Sequence, residues 1–237
     1  MESAPPVKVS DRTYFVLRRL HSLTGVVPVG VFLVEHLFTN ARSLQGPAAF
    51  DQAAAELARI PFVVLIEALG IWFPILFHLV LGIFIASTGQ ANLARHGGER
   101  NWHYALQRAT GILLAFFILY HTWSTRFDAR YLASESAYEY VYRHLEHPGV
   151  LAFYALGVLA ASYHLGNGLF GFAVHWGLVT GRRAQRLAGR VGLAVGAALA
   201  VLGLAALLGF RGLRLDFLQK PHAQEHDTVV LEGGARR

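Results

Sequence analysis

Four histidines, His36, His78, His121 and His164, each lie inside a different long apolar run of this 237-residue chain. An ionisable side chain in hydrocarbon is costly; it faces a bundle interior and marks a functional site. One such histidine would read as a hydrogen-bonded packing residue, but four on four separate runs point to ligation. The chain has 12 histidines and no cysteine. That excludes disulfides, Cys-ligated iron–sulfur clusters, Cys-type zinc sites and covalently attached c-type haem. Redox or metal chemistry must therefore rest on imidazole, the axial ligand that such a chain has for haem iron.

Depth sorts the four into pairs. His36 and His121 stand 6 and 5 residues before Arg42 and Arg126, while His78 and His164 stand 17 and 16 residues after Pro61 and Pro148. All four markers belong to the same membrane side, so the two layers are about 16 Å apart at 1.5 Å per residue. Two bis-histidine haems b fit this pattern, an outer one on His36 and His121 and an inner one on His78 and His164. Glycines on the same runs (Gly25, Gly30, Gly82, Gly111, Gly157, Gly166, Gly168, Gly171) leave room for a flat macrocycle, although close helix packing also enriches glycine in membranes.

A second scheme would pair ligands within helices, adding His21 on the first run and His175 on the fourth. Its layers do not match in depth, and it leaves His78 and His121 unexplained. His21 and His175 are instead expected near the inner surface, where Arg19, Ser22 and Trp102 join them as contacts for haem carboxylates. His96, His103, His144, His147, His222 and His226 read as loop, tail or interface residues. Two acids fall inside apolar runs, Glu35 beside a candidate ligand and Glu67. Eleven residues of unbroken helix would put Glu67 on the face of His78 but at the outer layer, where a carboxyl could exchange protons with a quinone. No P-loop, dinucleotide-binding glycine motif or hydrolytic triad is present.

The elements that must carry these residues are membrane helices. The sequence is 54% apolar and 15% charged, against roughly 25% charged in ordinary soluble domains, and its mean hydropathy is +0.39. Five runs approach the roughly 20 residues needed to span a bilayer: 20–39, 62–88, 109–125, 150–180 and 193–210. The polar start with Pro5 and Pro6 is no cleavable signal, so the first span is expected to act as its own insertion signal. Segments 47–59 and 126–148 have the spacing of short amphipathic helices that would cap the outer end.

Lys8, Arg12, Arg18, Arg19, Arg95, Arg100, Arg108, Arg182, Arg183, Arg186 and Arg190 collect on one side. The distribution predicts a cytoplasmic N-terminus and an outside C-terminus. The net charge of +6 is spread between apolar runs rather than gathered in a patch, which argues against a nucleic-acid partner. The reading is an all-α integral membrane protein, a bundle of five transmembrane helices around two haems b. Residues 1–212 form the membrane domain and 213–237 a polar tail.

The stretches RRLHSLTGVVPVGVFLVEHLF, RNWHYALQRATGI, YHTWSTR and YHLGNGLFGFAVHWG resemble the di-haem cytochrome b membrane-anchor subunits of succinate:menaquinone oxidoreductases and quinol:fumarate reductases. The likeness runs from about residue 14 to residue 208. It implies five spans and two haems b on His36, His78, His121 and His164, with Ser22 and His175 near the inner haem propionates. It also implies a menaquinone site and a flavoprotein and an iron–sulfur subunit docked at the cytoplasmic face of a bacterial inner membrane. Such a chain carries electrons but does not itself oxidise succinate. Some members have a proton-conducting glutamate two residues before the fourth-span ligand, where this chain has Ser162. The alternatives are a cytochrome b anchor of a hydrogenase or formate dehydrogenase, or a haem-free transporter or scaffold.

Overall fold

The computed structural model describes residues 10–88 and 98–215, and every described element is helical. Lys8, Arg95, His96, His222 and His226 lie outside the described residues, as does nearly all of the expected tail. The side chain of Arg100 is likewise not described.

The first apolar run forms two helices, α1 (Asp11–Val26) and α2 (Pro28–Asn40), broken where Pro28 removes a backbone N–H. Ser10 caps α1 by accepting from the Thr13 amide at 3.2 Å, as a serine at the N-cap should. After a 3-10 turn (Ala41–Gln45) comes α3 (Pro47–Ala58). The second run is α4 (Val63–Glu67), a π turn (Ala68–Trp72) and α5 (Phe73–Thr88). Then follow α6 (Glu99–Trp123), α7 (Ala129–Leu132), α8 (Ala137–Glu146), α9 (Pro148–His175) and α10 (Arg182–Phe210). The amphipathic segment expected at 47–59 is thus helical, and the one at 126–148 is split into α7 and α8 by the non-helical residues 133–136. α8 starts with a Ser-x-x-Glu cap, Ser136 accepting from the Glu139 amide at 3.0 Å.

Among the described residues four helical stretches are long and apolar enough to cross a membrane: Asp11–Gln45, Val63–Ser87, Pro148–His175 and Arg182–Phe210. α6, expected as a fifth span, has 25 residues, but its first turns (ERNWHYALQR) are polar. Apolar side chains face outward along these helices: Val31, Phe38, Leu69 and Val201 are each more than 60% exposed. Lipid is the surrounding that such a surface suits.

The centre of the bundle is α9, packed on α10, α6 and α1. Its contact with α10 is backbone to backbone: a Cβ on Gly192 would lie 2.3 Å from the Gly166 carbonyl oxygen, and one on Gly196 would lie 2.7 Å from that of Ser162. Small residues bring membrane helices together in this way. At one end α3 and α8 close the bundle over Phe50, Tyr138, Leu145, Tyr154, Leu207 and Phe210; we call this the capped end. The first residues of the expected tail are fastened there, with the Leu215 amide donating to Leu44 O at 3.1 Å and Arg214 donating to the Tyr138 hydroxyl at 2.8 Å. The other end, where α1 starts and α9 stops, is the open end.

Candidate functional site

Helix α2 carries His36, α5 His78, α6 His121 and α9 His164. The fold brings them together as two pairs. The rings of His36 and His121 are 5.7 Å apart between centroids and nearly perpendicular, at 75°. Those of His78 and His164 are 6.2 Å apart at 81°. Among the described residues no group of three or more His, Asp or Glu assembles as a metal site.

Each ring is held by its neighbours. His78 donates from Nδ1 to the backbone carbonyl of His21 at 2.9 Å, and a Cβ on Gly25 would meet its Cε1 at 2.3 Å. His164 sits over Gly111, with Nδ1 3.2 Å from the Thr110 hydroxyl. His121 stacks on Phe117 and places Nδ1 3.3 Å from the Tyr154 hydroxyl. His36 lies beside Asn40, whose amide reaches its Nε2 at 3.4 Å and donates to its backbone carbonyl at 2.7 Å.

His21, expected near the inner surface, lies against His78. Its ring stacks on His78 with centroids 3.9 Å apart, and its Nδ1 donates to the His78 carbonyl at 3.1 Å. The signal for this contact is in the sequence, where HSLTG and HLVLG both space histidine and glycine by four residues. On antiparallel helices His78 fits over Gly25 and His21 over Gly82.

Toward the open end Arg19, Ser22 and His175 gather, joined by two residues that sequence reasoning missed. Arg18 donates to His175 Nε2 at 3.0 Å, and Trp176 donates from its indole to the Ser22 hydroxyl at 3.2 Å. The Arg19 guanidinium lies 4.4 Å over the Trp176 ring. Arg19 Nε and His175 Nδ1 are buried without a hydrogen-bond partner among the described residues. Two orphaned nitrogens beside a second guanidinium suit an acidic group. Trp102, expected among them, is 54% exposed near the start of α6, and the indole bonded to Ser22 is that of Trp176.

Glu67 also differs from the expectation in its surroundings. The π turn, closed by the Phe73 amide on the Ala68 carbonyl, takes up one extra residue. It therefore rotates Glu67 by about 100° from the face that unbroken α-helix would give it. The carboxylate instead meets Arg126 in a two-pronged ion pair, 2.9 Å from Nη2 and 3.1 Å from Nε. Glu35 turns outward and accepts from the Thr39 hydroxyl at 2.6 Å.

A helical membrane protein with imidazoles paired at two depths is the class that this geometry defines. Residues 93–206 match the model of the family described as succinate dehydrogenase/fumarate reductase transmembrane subunit. The succinate dehydrogenase cytochrome b558 subunit of Bacillus subtilis (strain 168) is 39% identical over 202 residues, covering 85% of this chain and all of that protein. The chain belongs to the family of succinate dehydrogenase/fumarate reductase transmembrane subunits.

Proposed function

We propose that the chain anchors a succinate dehydrogenase or fumarate reductase in the membrane and holds two haems b, an outer one on His36 and His121 and an inner one on His78 and His164. The spacing of the paired rings carries this reading. Two imidazoles sharing one metal need two metal–nitrogen bonds of about 2 Å plus about 1 Å from each ring centre to its nitrogen, roughly 6 Å in all. The pairs stand at 5.7 and 6.2 Å. Haem iron bound there supplies one-electron redox chemistry.

The chain's own residues orient and insulate that site. Backbone and side-chain acceptors at Nδ1 of His78, His164 and His121 leave Nε2 as the nitrogen for iron. Arg19 and His175, with Arg18, offer donors to the haem carboxylates beside Ser22 and Trp176, whose own donors are already bonded, and His21 braces the inner ligand. α6 serves as the fifth span, and residues 1–212 form one membrane domain followed by the tail. The open end faces the cytoplasm of a bacterial cell, and Arg12, Arg18, Arg19, Arg182, Arg183, Arg186 and Arg190 collect there. It receives the iron–sulfur subunit, with the flavoprotein behind it. Menaquinone is exchanged at the capped end, where Glu67 beside Arg126 is the group that handles protons.

Pyridine haemochrome analysis of the purified chain tests the haem reading: two haems b per chain are expected, and one or none would refute it. Mass spectrometry of co-purifying subunits tests the partners, with a flavoprotein and an iron–sulfur protein expected.

A further inference from the structure

Helices α6 and α9 run antiparallel, and each carries one paired histidine and one hydroxyl aimed at the histidine of the other. Thr110 on α6 lies 3.2 Å from Nδ1 of His164 on α9, and Tyr154 on α9 lies 3.3 Å from Nδ1 of His121 on α6. The spacings agree: 11 residues separate Thr110 from His121, and 10 separate Tyr154 from His164, about 15 Å along either helix. Either hydroxyl oxygen can accept from an imidazole N–H. Thr110 spends its own proton on the Leu106 carbonyl at 2.7 Å, leaving its lone pairs to an imidazole N–H. Tyr154 is buried, 6% exposed, and its hydroxyl reaches Ser124 Oγ at 3.4 Å.

We propose that Thr110 and Tyr154 are reciprocal positioning residues, each fixing the tautomer and ring plane of the haem ligand on the opposite helix. An acceptor at Nδ1 makes the imidazole a stronger donor through Nε2, which favours oxidised iron. Each hydroxyl thus sets the affinity and potential of one haem. Because the two hydroxyls lie on opposite helices, each haem also reports whether α6 and α9 are in register.

The inference rests on the four histidines being haem ligands, so the test separates the two. It uses the assembled complex with Thr110→Val, Thr110→Ser and Tyr154→Phe. Two quantities are measured for each haem: its rate of transfer to excess apomyoglobin and its midpoint potential. The spectral component lost in His164→Ala identifies the haem of the His78 and His164 pair. Thr110→Val is expected to release that haem about tenfold faster, the low end for outer-shell partners of a ligating histidine, and to shift its potential upward. The other haem stays unchanged. Tyr154→Phe does the converse, and Thr110→Ser behaves as the unaltered protein. Unchanged haems in both variants, or an effect on the haem of the variant's own helix, would overturn the proposal. So would loss of assembly in Thr110→Ser as well as Thr110→Val, which would leave the hydroxyls a packing role. A haem-free unaltered protein would refute the ligand reading itself.

Discussion

His21 and His78 exchange hydrogen bonds: each imidazole donates from Nδ1 to the other's backbone carbonyl, at 3.1 and 2.9 Å, with the rings stacked 3.9 Å apart. The contact needs a glycine opposite each ring, and Gly25 and Gly82 supply them. Gly25 is the tighter of the two, so a methyl group there must push the His78 ring aside. Gly25→Ala should lower the occupancy of the haem proposed for His78 and His164, read from the visible spectrum of the purified complex. Gly171→Ala, where nothing lies within 4 Å of an added Cβ, should leave both haems in place.

The pairing makes a second expectation. His36→Ala and His121→Ala should remove one and the same spectral component, and His78→Ala and His164→Ala the other. Low-temperature spectra of the four variants check this. If His36→Ala and His78→Ala erased one common component, the two-layer arrangement would be wrong.

Glu67 is held by Arg126 rather than standing free in the bundle. Glu67→Gln should keep both haems and the dye-linked succinate activity of the complex while slowing quinone turnover several-fold. Arg126→Gln should slow quinone turnover as well, because it leaves the carboxylate without its cation. Steady-state assays with a menaquinone analogue measure both. Full quinone activity in a haem-loaded Glu67→Gln complex would reduce the pair to a structural tie between α4 and the end of α6.

The α8 cap should loosen in acid. Burial is the main cause that holds His144 below its ordinary value of 6.5; the Asp128 carboxylate opposes it and the Arg130 guanidinium adds to it. The rings of Tyr120, Tyr140 and Tyr154 surround it. Its proton is therefore taken up more readily in the unfolded cap, so the stability present above pH 6.5 is lost as the pH falls below it. Asp128 does not contribute in that window. The Arg130 side chain, its backbone N–H and the Tyr140 hydroxyl hold its carboxyl well below the usual carboxylate range. The protection of the α8 amides against hydrogen exchange, relative to their intrinsic rates, should fall between pH 6.5 and 5, and His144→Phe should flatten that fall.

At the centre of the bundle, Gly192→Leu should separate α9 from α10, because the Gly166 carbonyl already fills the space that a Cβ would need. Overpacking of this kind costs about 1–3 kcal/mol or more. The expected readout is a lowered temperature of haem loss in detergent, with Gly181→Leu, which has open space around it, as the control.

The sequence by itself determined the helical membrane class, the four histidines and their sorting by depth. Depth is legible because position along a helix is proportional to residue number, and hydropathy marks where each helix enters the apolar layer. The capping helices α3 and α8 were legible for a similar reason, since their apolar residues recur at helical spacing. What faces what across the bundle was not. That depends on the rotation of each helix about its axis, which neighbouring helices set and one local irregularity can change. A single π turn moved Glu67 from the face of His78 to the reach of Arg126. His21 was placed by a glycine 61 residues away, and Trp176 rather than Trp102 came to stand beside Ser22. The hydroxyls of Thr110 and Tyr154 look like ordinary residues in the sequence. Only the antiparallel packing of α6 on α9, made close by the small Gly111 and Gly157, turned each of them toward a histidine.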